Sequence, residues 1–383
     1  MDARTICAQG NRKEKGDPLT PPIVAAAAFE FDSQAAVDEV YRSGEGYIYS
    51  RYDNPTIRHA ERFLARLEGA EDAALFASGM AAIGTLCLLL AKSGERVIAQ
   101  EQLYGGTAQL FRTRLPELGI EVEFVDLDRI GRLTAADLRD CRLLYLETPV
   151  NPVLRVVDLR RAAAVARDAG VPVAVDGTFA PPVLQRALDQ GVDFVIHSAT
   201  KYLGGHNDLI GGAVVGRGEP IRELALRRRD WGAIMDPFTA FLLQRGMRTL
   251  AVRVEAQSRS ARAVADALAR SEAVEAVHYP GLPGHPDGEI VRRQMTSGGA
   301  MVAFTVRGGA EAAVRVHDRL QLFARAGSLG GTESLASIPA RMSHRHLDDA
   351  ELARAGVSPN LLRLSVGLEA PEDLIADLEQ ALS

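Results

Sequence analysis

The chain has 383 residues, 47% hydrophobic and 25% charged, enough to bury a large core in two or three domains. A net charge of −6 and a pI near 5.8 exclude the basic footprint that nucleic acid or an anionic membrane surface requires. Three scattered cysteines, Cys7, Cys87 and Cys141, have no metal-ligand spacing and fit reduced thiols in the cytoplasm better than a disulfide framework.

Met1 to Asp17 mixes charged and polar residues without the apolar run of a signal peptide. Pro18, Pro21 and Pro22 precede a small-residue run at Ala25–Ala28. Proline fixes φ and removes ladder donors, so residues 1–50 read as an extended N-terminal arm for contacts with a neighbouring subunit. Residues 51–245 alternate short apolar runs with helical segments. The expected strands are Ala73–Phe76, Arg96–Ala99, Glu121–Val125, Leu143–Glu147, Val171–Asp176, Phe194–His197 and Gly212–Val215, with amphipathic stretches such as Asp158–Ala169 between them. The uncharged stretch Ala73–Ala91 has the length of a membrane span. Ser78, Gly79 and Gly84 within it favour strand, glycine turn and buried helix instead. Such alternation predicts an α/β fold with a mostly parallel sheet covered on both faces and its ligand beyond the carboxyl ends of the strands. A helical pattern over Pro237–Leu268 leads into a smaller α/β domain, residues 246–383. Strands are expected there at Met301–Val306, Leu320–Phe323 and Leu361–Val366, with a closing helix at Pro371–Leu382.

Chemistry is sought just past the apolar runs. Lys201 lies among Ser198, Thr200, Gly204 and Gly205, directly after the run Phe194–His197. It reads either as a surface lysine in a turn or as a Schiff-base lysine, which needs shelter and a lowered pKa. Ser198 and Thr200 could donate to a phosphate, and the glycines admit close backbone approach. Asp176 ends the run Val171–Val175 and precedes Gly177 and Thr178. It is either a loop or capping carboxylate or the partner of a pyridinium nitrogen, which it would keep protonated. Ser78-Gly79-Met80 lies between a strand and an alanine-rich helix, where free N–H groups suit an anion, or where a tight turn merely connects the two.

Taken with other motifs, these residues resemble the Cys/Met-metabolism family of pyridoxal-phosphate enzymes, over nearly the whole chain. The motifs include Tyr49-Ser50-Arg51-Tyr52-Asp53-Asn54-Pro55-Thr56, Tyr104-Gly105-Gly106-Thr107 and Glu147-Thr148-Pro149-Val150-Asn151-Pro152. Later come Tyr279-Pro280-Gly281-Leu282, Ser328-Leu329-Gly330-Gly331 and Arg363 through Glu369. The resemblance implies the type I, aspartate-aminotransferase-like transferase fold, pyridoxal 5'-phosphate as cofactor and no metal. It implies that Lys201 holds the cofactor as a Schiff base and shuttles protons, while Asp176 pairs with the ring nitrogen. Tyr104 would stack on the ring and carry a proton near the departing sulfur. Gly79, Met80, Ser198 and Thr200 would bind the phosphate from one subunit, and Tyr49 and Arg51 from its neighbour. Arg363 would clamp the substrate carboxylate, with Asn151 and Ser328 positioning cofactor and substrate. The implied assembly is a homodimer or a dimer of dimers, with a small sulfur amino acid as its only other partner.

The expected reaction is a cystathionine γ-lyase-like α,γ-elimination giving a 2-oxo acid, ammonia and a thiol. The alternatives are a methionine γ-lyase or a γ-replacement on an activated homoserine. Methionine γ-lyases typically carry cysteine at the position of Gly106. Cystathionine enzymes often carry an acid at that of Gly327, and the family's usual asparagine is here Gly177. A further alternative is a cofactor-binding scaffold without turnover.

Overall fold

The structure, a computed structural model, describes residues 1–11, 18–345 and 347–383. Seven strands form the larger sheet: β1 (Asp72–Phe76), β2 (Arg96–Gln100), β3 (Glu121–Val125), β4 (Cys141–Glu147), β5 (Val173–Asp176), β6 (Phe194–Ser198) and β7 (Gly212–Gly216). Their spatial order is β1-β7-β6-β5-β4-β2-β3, and β7 runs antiparallel to both neighbours while the remaining pairs are parallel. Alternate residues feed two cores, as strand geometry requires. Phe76, Ala99, Tyr145, Ala174 and Ile196 pack on one face around the apolar helix Gly79–Leu90. Leu75, Ile98, Leu144, Val175 and Val195 pack on the other, with the amphipathic helix Pro55–Glu68. The stretch Ala73–Ala91 is therefore strand, turn and buried helix, and no helix among the described residues is long and apolar enough to cross a membrane.

The second sheet holds β8 (Val274–His278), β9 (Met301–Val306), β10 (Ala324–Arg325), β11 (Leu335–Ser337) and β12 (Leu361–Ser365) in the order β10-β11-β12-β9-β8. All pairs are antiparallel except β10 with β11. The expected strand at Leu320–Phe323 is instead a bend. Its backbone N–H groups at 321, 322 and 323 donate to the carboxylate of Asp377, at 2.8, 2.8 and 3.2 Å, so they are unavailable for a ladder. The expected long helix is two, Pro237–Arg248 and Leu250–Leu268, broken at Thr249, whose φ of −106° and ψ of 5° leave the helical region.

The chain's start is less extended than its prolines suggest. A helix at Ala3–Gln9, capped by Asp2, buries Ile6 and Cys7 against the helices at Pro55–Glu68, Pro237–Arg248 and Leu250–Leu268. A second helix spans Gln34–Ser43. Between them, residues 18–33 are mostly irregular, and part of the expected arm, residues 12–17, lies outside the described residues.

Candidate active site

The carboxyl ends of β4, β5 and β6 deliver Glu147, Asp176 and Ser198 to one cavity of ≈ 1070 Å³. Glu147 and Asp176 are partners in the parallel register, so two buried carboxyl groups stand side by side. Lys201 follows β6 in a turn, half-buried, and its Nζ donates to Ser328 Oγ at 2.9 Å. Burial lowers the Lys201 pKa, and the nearby Arg363 charge lowers it further. That is the shift a nucleophilic amine needs. The link from Asp176 to Lys201 contains no α-helix. Its only helical turn is the short one at Ala187–Gln190, after Pro181 and Pro182.

Burial raises the Asp176 pKa, and hydrogen bonds from Thr178 oppose the shift. One is the Thr178 N–H to Oδ1 at 3.0 Å. No basic side chain makes an ion pair with Asp176 among the described residues. A buried carboxyl group without a cationic partner suits a ligand that brings a positive charge.

Glu147 was not among the expected site residues, yet it ties the cavity together. Its Oε2 accepts from the Tyr104 N–H at 2.7 Å and its Oε1 from the Asn151 N–H at 3.1 Å. Burial first, and then the Asp176 charge, push its pKa up to about 8. Asn151 Oδ1 in turn accepts from Arg363 Nη1 at 2.8 Å. Arg363, on β12, is 6% exposed and forms no ion pair, and its Nε has no hydrogen-bond partner among the described residues. Burial brings its pKa down to about 10. Such a guanidinium is arranged for an incoming carboxylate.

The other end of the cavity suits a phosphate. The helix Gly79–Leu90 begins there, capped by Ser78 Oγ accepting from the Ala81 N–H at 3.1 Å, so its first amides have no intrahelical partner. A side chain at Gly79 would come within 3.1 Å of the Ser198 Cβ, so glycine is what admits the close approach. The Thr200 hydroxyl is engaged with the backbone of Gly211, accepting its N–H at 3.0 Å. Tyr104 is 44% exposed at the mouth, and a Cβ on Gly106 would stand 2.7 Å from the Tyr104 Cε1. The tyrosine ring fills the space a residue at 106 would need. Likewise a Cβ on Gly177 would meet His197 Cε1 at 3.2 Å, and one on Gly327 would meet Met342 Cε at 3.2 Å.

Pyridoxal phosphate fits these groups. The cavity joins an amine of lowered pKa, a buried guanidinium without a carboxylate whose Nε has no partner among the described residues, a carboxyl group without a cation, and an anion-binding helix start. Of the expected residues, Gly79, Met80, Tyr104, Asn151, Asp176, Ser198, Thr200, Lys201, Ser328 and Arg363 all line the one cavity. Tyr49 and Arg51 do not. Arg51 Nη1 donates to the Arg229 carbonyl at 2.9 Å, and its guanidinium lies 4.9 Å from the Tyr52 ring centroid. No apolar frame in the sequence marked two further lining residues, Arg341 and Arg345.

The chain is similar to known proteins. The family model for Cys/Met metabolism PLP-dependent enzymes matches residues 3–383. An L-methionine gamma-lyase of Porphyromonas gingivalis is 42% identical over 95% of this chain and 92% of its own. An O-succinylhomoserine sulfhydrylase of Pseudomonas aeruginosa is 41% identical over 88% of this chain and 84% of its own. A crystal structure of cystathionine gamma synthase from Xanthomonas oryzae pv. oryzae, in complex with aminoacrylate and cysteine, matches with a TM-score of 0.93 and 36% identity, covering 100% of this chain and 98% of that one.

Proposed function

This chain belongs to the Cys/Met metabolism family of pyridoxal-phosphate-dependent enzymes, and on that premise we propose that it splits the γ-carbon–sulfur bond of a homocysteine-type amino acid. Substrate and one water give a thiol, ammonia and 2-oxobutanoate. The observation that carries this reading is Arg363, a buried guanidinium without a carboxylate, sharing a cavity with a lysine of lowered pKa.

Pyridoxal phosphate supplies, when bound, an electron sink for the carbanion left by loss of the α-proton. The protein supplies position and proton transfer. Arg363 holds the substrate carboxylate, and its guanidinium is fixed by Asn151 Oδ1 at 2.8 Å. Asp176 holds the ring nitrogen protonated. The Lys201 amine, relayed against Ser328 Oγ at 2.9 Å, binds the cofactor and then carries protons from the α- and β-carbons. The Tyr104 hydroxyl serves the departing sulfur, with its backbone pinned by Glu147 at 2.7 Å. Gly79, Met80, Ser198 and Thr200 take the phosphate, completed by Tyr49 and Arg51 of a second subunit. Exposed Leu19, Tyr41, Trp231 and Phe238 support such an assembly, because large apolar side chains in water favour burial against a partner. The reading places the enzyme in the cytoplasm.

The test is an assay of the yellow holoenzyme with cystathionine, methionine and O-succinylhomoserine, with and without cysteine. Ammonia and 2-oxobutanoate from the thioethers support elimination. Exclusive thioether synthesis from the ester sinks it, and a cofactor absorption band that no substrate perturbs returns the chain to a scaffold role.

A further inference from the structure

The wall that carries Arg363 continues outward as a second cationic element. In the sheet register Arg363 on β12 faces Ser337 on β11, and both line the cavity. From Ser337 the chain runs through a short turn at Pro339–Arg341 and on to Arg345. Arg341 and Arg345 reach the same cavity and are exposed. Neither makes an ion pair or a side-chain hydrogen bond among the described residues. Among the described residues, the only carboxyl groups lining the cavity are Glu147 and Asp176, at its inner end. Both Glu147 oxygens already accept backbone N–H groups. Among the described residues, no acidic group of the cavity lining faces the outer arginines. At Gly327 there is no side chain to supply an acid, and Met342 lies against that position. Met342, Leu329 and Ile210 give the intervening lining an apolar character.

We propose that Arg341 and Arg345 form an outer anion subsite that reads the far end of the γ-substituent, so that preferred substrates carry a distal carboxylate. This rests on the γ-elimination reading and refines its substrate class to a carboxyalkyl thioether of homocysteine. The α-carboxylate goes to Arg363 and the distal one to the outer pair, with the apolar atoms between them against Met342 and Leu329. A distal ammonium finds two like charges and no acid. Like charges in one site disfavour binding, and guanidinium–carboxylate pairs favour it.

Three substrates of nearly one shape separate the terms: S-(2-carboxyethyl)-, S-(2-carbamoylethyl)- and S-(2-aminoethyl)-homocysteine. With the holoenzyme, each is followed by 2-oxobutanoate release and by Kd from the change in the cofactor band. The expected order is carboxylate, then amide, then amine, with the carboxylate favoured over the amide by about 10-fold in kcat/KM, chiefly through KM. In Arg341→Gln/Arg345→Gln that preference collapses toward one, while the parent's cofactor band and melting temperature are retained and certify the fold. Equal use of carboxylate and amide by the parent enzyme, or a preference that survives in the double variant, overturns the subsite. If no 2-oxobutanoate forms but Kd keeps the same order and the same loss in the variant, the subsite stands and the elimination reading falls.

Discussion

Arg363 sits unfavourably in the free state. Its charge is buried beside Asn151 Oδ1 and without a carboxylate, and burial has already drawn its pKa to about 10. Replacing a lone buried charge by an apolar side chain of similar volume removes a desolvation cost. Arg363→Met is therefore expected to raise the melting temperature by a few degrees while lowering kcat/KM by about 100-fold or more, the loss of a charge-assisted bidentate contact. A variant that melts lower would show the guanidinium to be structural. Gly106→Cys carries the opposite logic. The new Cβ would stand 2.7 Å from the Tyr104 ring, so the ring must move, and kcat should fall with a shifted cofactor band. An unchanged spectrum and kcat would show that the ring has room to yield. Asp176 and Lys201 could be read from the sequence because each directly follows a buried run. Glu147 ends such a run too, but its role depends on the backbone of residues 104 and 151, which only tertiary geometry brings to it. Arg341 and Arg345 sit in a loop without periodicity, so nothing local distinguished them from solvated surface charges. Glu147 also sets a pH effect. Its folded pKa of about 8 lies above the ordinary 4.5, so the native state keeps a proton that the unfolded chain releases between those values. Stability must then fall as pH rises through that window. Thermal melts of cofactor-stripped protein should show this slope, flattened in Glu147→Gln; equal slopes would remove Glu147 as its source.

At the scale of elements, apolar runs located the buried strands well and the half-exposed ones poorly. The seven expected runs of the larger sheet all became strands; six are buried along nearly their whole length, and only the edge strand Glu121–Val125 is half-exposed. Val274–His278 escaped notice since Glu275, Ala276 and His278 leave it half-open at a sheet edge, and Leu335–Ser337 is too short to show a period. Leu320–Phe323 misled for the reverse reason: its apolar residues are real, but a carboxylate on the closing helix claims their amides. Asp377→Ala should therefore cost about 2–4 kcal/mol, because three N–H groups lose their acceptor together. Burial works against this carboxylate, but bonds from the Gln321, Leu322 and Phe323 N–H groups prevail and hold its pKa below 3.8. A carboxyl group depressed in the fold lends stability above its unfolded pKa and loses it as pH falls through the lower folded value. Denaturant midpoints at neutral and acidic pH check both statements; a variant with the parent's midpoint at neutral pH would discount the anchor.

For the whole molecule, the proposed sharing of phosphate ligands makes activity a property of a pair of chains. Lys201→Ala and Arg51→Ala should each be nearly inactive alone, yet regain activity when the two are unfolded and refolded together, because mixed pairs contain one intact site. Absence of recovery in mixed pairs shown to form would restrict each site to one chain. The cavity itself lies on a seam. Lys201, Asp176 and the helix start at Gly79 belong to the seven-stranded sheet, while Ser328 and Arg363 come with the five-stranded one. Few polar bonds bridge that line at the site: Lys201 to Ser328, and Arg363 to Asn151. An amino acid lying across it touches both halves at once and so acts as a removable rivet. Slow amide exchange and resistance to proteolysis should therefore increase with occupancy, most of all in the five-stranded half, even for a tight-binding analogue that never reacts.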